Sequence, residues 1–433
     1  LIESTQFNKG DVVIPLAQPF RPFIKEVLEK QDFPIRHYTP GGEIIRPYDI
    51  TSWSLPLHKG VNSYQIDKRN TELEEALVEI NGKYQAALSR IDDPAVFAFP
   101  FSNNESYKVA FLAKEKGLDV RYYKGKIEGI NKSDNEGGFI IENTDSKKLD
   151  GLFSILNVEP IYLASIPEGA VELDFPKVGL IETYMHDMDA GWTRYVFDSY
   201  HIPYQVIRPG EIPEKELEDF DVLIFPDSRK SELLKGTYER PGYYRMSSYP
   251  PEYSKGMGKE GLNKLLKYIN NGGKVIAWGS STELFMGKQS IGDDKEKKEE
   301  FKLPISNVSD NYRKDGLYIP GSLVKVRLNK TMDFTLGMPE YTGAFHRSGP
   351  IFQTSLPIFD MDRRVVGHFT EEEILISGYA KNLDEVEGKP TMVWVKKGKG
   401  EMIFFSFGPQ FRASTTRNYK LIFNSIFFSN LNR

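Results

Sequence analysis

Short apolar runs that alternate with helix-like stretches constrain this chain most. Val222–Phe225 and residues 275–278 and 402–405 are continuous apolar segments, within strands expected at 222–225, 274–278 and 401–407 that are closed by Pro226, Gly279 and Gly408. Runs of that length without polar alternation read as strands buried on both faces, as in a parallel sheet covered by helices. Residues 188–200 predict a helix ended near Pro203, and 261–270 predict an amphipathic helix closed by Asn271-Gly272-Gly273. Residues 281–285 begin another. With a first strand at 177–181, the pattern predicts an α/β domain over 177–433. Its later part is β-rich (Ser322–Leu328, 374–377, 391–395 and 401–407) and a helix at 418–428 ends it.

Upstream, residues 1–170 predict a smaller α/β unit with linker and loop segments, separated from the larger one by a Pro-bounded junction at 167–176. Strands are expected at 95–99, 119–123, 138–141 and 160–164. Helices are expected at 102–116, with Asn103 or Asn104 near the N-cap and Gly117 as the stop, and at 147–156. Strand–helix–strand spacing of this kind predicts a parallel sheet. Nearer the start, Asp11-Val12-Val13-Ile14 reads as a strand and 21–31 as a helix. The stretch 48–57 reads as an ordered loop packed on a domain. The segment 9–14 followed by a helix weakly echoes 136–141 followed by a helix, which suggests an internal duplication.

A chain of 433 residues fits two to three domains of about 150 residues each. It has no cysteine, which removes disulfides, thiolate zinc, iron–sulfur clusters and a cysteine nucleophile. With 56 Lys+Arg against 61 Asp+Glu the net charge is −5, the wrong sign for a general nucleic-acid binder. No apolar stretch approaches the ~18 residues of a membrane span, so no membrane partner is expected. The first residues lack a basic n-region and an apolar core, so no signal peptide is expected. A chain that begins at Leu1 reads as an excised or processed segment.

The catalytic patterns are incomplete. The six histidines include no His-Glu-x-x-His, and His368-Phe369-Thr370-Glu371 has no later His to complete a zinc set. No phosphate-binding glycine loop follows a strand. The run 293–300 of mixed charge reads as a solvated insertion. Gly279-Ser280-Ser281 sits at a strand–helix turn and resembles part of a nucleophile elbow. Ser280 and Ser281 serve equally well as helix N-caps. The richest cluster is Met185-His186-Asp187-Met188-Asp189-Ala190-Gly191-Trp192-Thr193-Arg194, where a strand ends and a helix begins. In open α/β sheets the strand C-ends line the ligand crevice. Asp227, Ser280 and Ser281 follow neighbouring strands, and Gln410 and Arg412 follow the last one. His186, Asp187, Asp189, Trp192, Arg194, Asp227, Ser280, Ser281, Gln410 and Arg412 are therefore candidates for one polar pocket. The alternative is that Asp187 or Asp189 caps the helix and Arg194 pairs with a carboxylate.

Several motifs, in order, resemble large bacterial zinc carboxypeptidase-like proteins in the part that follows their catalytic domain. They are 11–20, 48–57, Met188-Asp189-Ala190-Gly191-Trp192-Thr193-Arg194, Tyr318-Ile319-Pro320-Gly321-Ser322-Leu323 and Gly408-Pro409-Gln410-Phe411-Arg412-Ala413. The resemblance implies a class I glutamine amidotransferase-like, flavodoxin-like domain over 177–433. In those enzymes a Cys stands at the elbow, and Gly279-Ser280-Ser281 matches that elbow without one, which excludes a glutaminase. The family's zinc ligands belong to the preceding domain, so no cofactor is expected in this segment and zinc only in a missing catalytic domain. The resemblance thus implies a non-catalytic accessory region that docks on a peptidase domain or holds a peptide or glycan. It also suggests a periplasmic or extracellular setting. A stand-alone hydrolase using Ser280 or the His186/Asp187/Asp189 cluster, and a structural or dimerisation module, are the other readings.

Overall fold

The computed structural model describes residues 7–8, 10–81, 96–129, 135–143, 145–153, 155, 158–185, 187–240, 243–245, 250–291 and 299–431. The chain opens with an arm that carries three short helices: α1 (Arg21–Leu28), α2 (Leu55–Lys59) and α3 (Thr71–Ala76). None of the α1 residues is buried. The arm is fixed where its small polar residues go under. Thr51 donates its N–H to the Gly321 carbonyl (2.7 Å), and Ser52 Oγ donates to Ser377 Oγ (3.0 Å). Thr51, Ser52, Ser54 and His58 are all buried there, so the stretch 48–57 is packed as its composition predicts, with its last residues in α2. The strand expected at 11–14 does not form. Those residues are irregular and exposed, which also removes the suggested duplication. With three apolar residues in a row and no partner strand, local propensity alone does not hold an extended segment in a sheet.

The smaller unit is a five-stranded sheet of β1 (Val96–Pro100), β2 (Val120–Tyr123), β3 (Gly138–Glu142), β4 (Ile161–Leu163) and β5 (Val171–Glu172), in the order β4-β1-β3-β2-β5. Every pair in it is antiparallel, which corrects the parallel sheet expected here. The physical reason is an insertion. β1, α4 (Asn104–Glu115) and β2 form a strand–helix–strand unit whose strands do run the same way, but β3 lies between them. Asn103 caps α4 by accepting the Glu105 N–H, and Gly117 closes it with φ of 71°. α5 (Ser146–Phe153) packs beside α4.

The larger unit is a ten-stranded mixed sheet. Its parallel half contains β6 (Val178–Ile181), β7 (Tyr204–Ile207), β8 (Val222–Phe225), β11 (Lys274–Trp278) and β21 (Gly400–Phe405). The order β7-β6-β8-β11-β21 is the 2-1-3-4-5 order of flavodoxin-like sheets. A hairpin of β9 (Tyr238–Arg240) and β10 (Tyr243–Arg245) interrupts this half. A second, β12 (Gln289–Ile291) with β13 (Glu299–Phe301), follows β11. The other half is antiparallel: β15 (Ser322–Leu328), β16 (Tyr341–His346), β18 (Met361–Phe369), β19 (Leu375–Ser377) and β20 (Pro390–Lys397). β14 (Ile305–Asn307) pairs with β17 (Phe352–Thr354) outside this sheet.

Side-chain alternation splits the parallel strands between two cores. Val222, Ile224 and Ile276 face α6 (Met188–Ser199) and α10 (Tyr419–Phe427). Leu223, Phe225, Val275 and Ala277 face α7 (Lys230–Lys235) and α8 (Gly258–Asn271). α9 (Ser309–Lys314) joins β14 to the antiparallel half. The first core continues without a break into the smaller sheet. Phe427 of α10 stacks on Phe111 (4.9 Å between centroids), and the Tyr107 hydroxyl donates to Asn424 (2.6 Å). Among the described residues no helix is long and apolar enough to cross a membrane. Most of the charge run 293–300 lies outside the described residues.

The two ends of the parallel strands differ in chemistry. At the N-terminal end Lys274 and Glu401 sit side by side, nearly inaccessible, 3.2 Å apart. The ammonium also donates to the carbonyls of Ser425 (2.8 Å) and Phe428 (2.6 Å). The Glu401 carboxylate accepts the Trp394 indole (2.7 Å) and the Asn430 N–H (3.2 Å). The pair is thus neutral in sum and saturated with hydrogen bonds, the condition under which a buried ion pair is tolerated.

Candidate functional site

The C-terminal end of the same strands carries three aspartates. Each stands within a few residues of a strand end because the chain leaves β6 and β8 on either side of the point where strand order reverses, which opens a crevice. Asp187 is the N-cap of α6. It accepts the Ala190 N–H (3.0 Å), the Thr183 N–H (2.8 Å) and the Thr183 hydroxyl (3.2 Å). Asp189, in the first turn of α6, accepts the Asp227 N–H (2.9 Å), the Gln410 amide (2.8 Å) and the Trp278 indole N–H. Three donors from three different strand ends therefore meet on one carboxylate. It ties β8, β11 and the loop after β21 to the start of α6.

Asp227 lies on the open side of this cluster. Its carboxylate accepts the Ser280 N–H (2.7 Å) and bonds the Ser280 hydroxyl. Gly279 makes that approach possible. It has φ of +59°, and a Cβ there would fall 2.5 Å from the Asp227 carboxylate. Asp227 keeps a solvent-exposed surface, and the protein crowded around its carboxylate raises it above the usual carboxylate range. The guanidinium groups of Arg229 and Arg347 oppose that rise. Burial pushes Asp189 up to about 7, with the neighbouring Asp227 charge adding to it, and burial pushes Asp187 up to about 6. A carboxyl near neutrality can hold or give up a proton at ordinary pH.

Asp187, Asp189, Asp227, Ser280, Ser281 and Gln410 come together at this crevice. Ser281 is internal: its hydroxyl donates to the Pro226 carbonyl and accepts the Ser228 N–H (2.8 Å), so it braces the β8 turn. The helix expected from 281 is a 3₁₀ turn, Gly279–Leu284. Trp192, 38% exposed, packs edge-on against Tyr195 on the outer side of α6. Arg194 pairs with Glu182 (3.3 Å) and the Tyr204 hydroxyl. Arg412 lies over the Phe411 ring with φ of 46°. None of these three bonds to the aspartates. His186 lies outside the described residues. Ser280 has no histidine or glutamate partner among the described residues.

Three groups at the same rim were not read from the sequence: Trp278, Thr183 and Arg347. Trp278 stands at the strand end beside the elbow, which was the available signal. Arg347 follows β16, a strand whose sequence gave no clear pattern. Gln410 is fully buried. Its amide nitrogen bonds Asp189 and Thr193 while its oxygen has no hydrogen-bond partner among the described residues. The two residues after Phe411, Arg412 and Ala413, both sit in the left-handed region, with φ of 46° and 54°. Non-glycine residues adopt that region at a cost, and such outliers cluster at functional sites.

No protein-family model matches the chain, and no curated protein matches it in sequence. Solved structures overlap it loosely. A ThuA-like protein of Bacteroides uniformis is 11% identical, with 60% of this chain and 94% of that chain covered at a TM-score of 0.34. A β-galactosidase of Bacillus circulans is 12% identical, with 58% and 31% covered and a TM-score of 0.31. A glutamine amidotransferase of Thermotoga maritima is 11% identical, with 54% and 76% covered and a TM-score of 0.30. Likeness at this level sets neither the fold nor the function of this chain.

Proposed function

We propose that the strand-end crevice binds a polar ligand, a peptide or glycan, within a non-catalytic accessory region of a zinc carboxypeptidase-like protein. One observation carries the reading. The hydroxyl and the N–H of Ser280 both turn to Asp227, whose carboxylate is thereby occupied, and among the described residues no histidine stands beside Ser280 to pass its proton on to a leaving group. The crevice polar groups hold one another in place, and Asp227 offers its remaining acceptor capacity to solvent. Such a rim suits ligand hydroxyls or amines. The 2-1-3-4-5 strand order and the elbow at Gly279-Ser280 support an amidotransferase-like ancestry for the larger unit, with serine where the thiol would stand. Among the described residues no three His, Asp or Glu side chains gather as a metal site, so the zinc chemistry of such a protein is assigned to no residue here. An adjoining peptidase domain would be the natural partner.

Calorimetric titration of the protein with short peptides and cell-wall glycan fragments tests this. Binding by a member of the panel, weakened about tenfold in Asp227→Asn through loss of a charge-assisted hydrogen bond, is the expected result. Absence of binding across the panel discards the reading. A second reading, a hydrolase, rests on the raised titration of Asp189 beside Asp227. It requires ester or amide hydrolysis that Ser280→Ala or Asp189→Asn abolishes.

A further inference from the structure

A separate cavity of about 200 Å³ opens beside the crevice, at the ends of β6 and β7. It shares the Thr183–Met185 turn with the crevice, and Thr183 is the residue that holds Asp187. We propose that this cavity is a subsite for one uncharged sugar ring of a glycan ligand. The inference rests on the reading of the crevice as a ligand site and chooses between its two ligand classes.

Three features of the cavity lead there. The first is an aromatic wall. Tyr184 and Tyr253 meet edge to face at 4.9 Å, and they are 41% and 44% exposed, although both are large rings. The Arg208 guanidinium covers one face of Tyr184, 3.9 Å from its centroid. Arg208 is fixed in turn by the carbonyls of Glu182 and Thr183 (3.2 Å each) and by the Glu182 carboxylate. The C–H face of a pyranose packs on such a ring while its hydroxyls stay free to bond.

The second feature is a placed acceptor. Glu232 is 8% exposed and lines the cavity. One of its oxygens accepts the Arg229 N–H (2.9 Å), which leaves the other for a ligand hydroxyl. The third is charge and size. Two cations, Arg208 and Lys255, face three carboxylates, Glu211, Glu232 and Glu252, so the cavity favours neither a strong anion nor a strong cation. Its volume lies below the roughly 300–1,000 Å³ of pockets that enclose a drug-sized molecule, which limits it to a single ring.

The wall is built into the chain. Gly236 ends α7 with φ of +68°, and a Cβ there would fall 1.7 Å from the Ser254 carbonyl. The segment that carries Tyr253 can therefore lie directly on the α7 turn.

The test is an amide NMR titration of the whole chain with glucose, galactose and N-acetylglucosamine, and with triglycine as the peptide probe. At least one sugar should shift the signals of Tyr184, Gly210 and Tyr253. Its affinity should fall about tenfold in Tyr253→Ala and remain in Tyr253→Phe. The proposal is overturned if no sugar shifts these signals, if Tyr253→Ala binds as the parent does, or if triglycine alone occupies the cavity. Shifts confined to Asp227 and Ser280 also overturn it, while leaving the crevice reading in place.

Discussion

β11 begins at a buried ion pair and ends at a cluster of aspartates. At Lys274 each charge has an opposite charge at 3.2 Å and further hydrogen bonds of its own, two from the ammonium to carbonyls and two to the carboxylate. At Trp278 the indole bonds a carboxylate that has two other carboxylates for neighbours. Both ends remove charge from water, but only the first neutralises it. A fold arranged for stability alone would resolve the second end as it resolves the first. The unbalanced end is therefore where binding or proton chemistry belongs, and the balanced end is where the sheet is fastened.

The contrast can be broken at the balanced end first. Glu401→Leu leaves the Lys274 ammonium buried without its counter-charge and should cost about 3–5 kcal/mol in denaturant unfolding. Lys274→Met with Glu401→Leu should recover most of that loss. A single variant as stable as the parent would show that the pair is not what fastens this end. At the aspartate end, Asp189→Ala strands the Trp278 and Asp227 donors and should cost about 2 kcal/mol, less than the first change.

pH separates the two ends further. Burial lifts Asp189 from 3.8 to about 7, so between those values the folded chain holds a proton that the unfolded chain has released. This contribution to stability is complete below about pH 4 and is lost as pH rises through 7. Unfolding free energy measured across that window should decline less steeply with pH in Asp189→Asn than in the parent. Equal slopes would place the charge elsewhere. The smallest effect belongs to Asp227→Asn. An asparagine oxygen still accepts the Ser280 N–H, so stability should change by only about 0.5 kcal/mol while ligand affinity falls.

The parallel half of the large sheet was readable because burial on both faces leaves an unbroken apolar run inside a strand, as in Val222–Phe225 and residues 275–278. The antiparallel half was harder. β18 carries Asp362, Arg363 and Arg364 on half-exposed positions, and its register shifts between Val365 and His368, so neither alternation nor a continuous run survives. In the smaller unit, the direction of β1 and β2 followed from their spacing, but nothing local announced that β3 would enter between them. At the site, the residues just after strands converge as position alone suggests. Trp192 and Arg194 do not, because they lie around the helix axis from the inner face of α6, which carries Asp189 and Thr193, with Trp192 turned to Tyr195 on the outer side. Arg347 depended on β16 and could not be seen without it.

The outer edge of the antiparallel half has a consequence for solubility. β16 is the last strand of the antiparallel half, and a terminal strand with free N–H and C=O groups is a template for pairing with another molecule. α2 lies against it, with the His58 ring 5.6 Å from Phe345, and at the edge itself the Arg417 guanidinium donates to the Tyr341 carbonyl and the Asn418 amide to the Gly343 carbonyl. The segment before α10 thus blunts a sticky edge, since a neighbouring copy finds two of its carbonyls already taken.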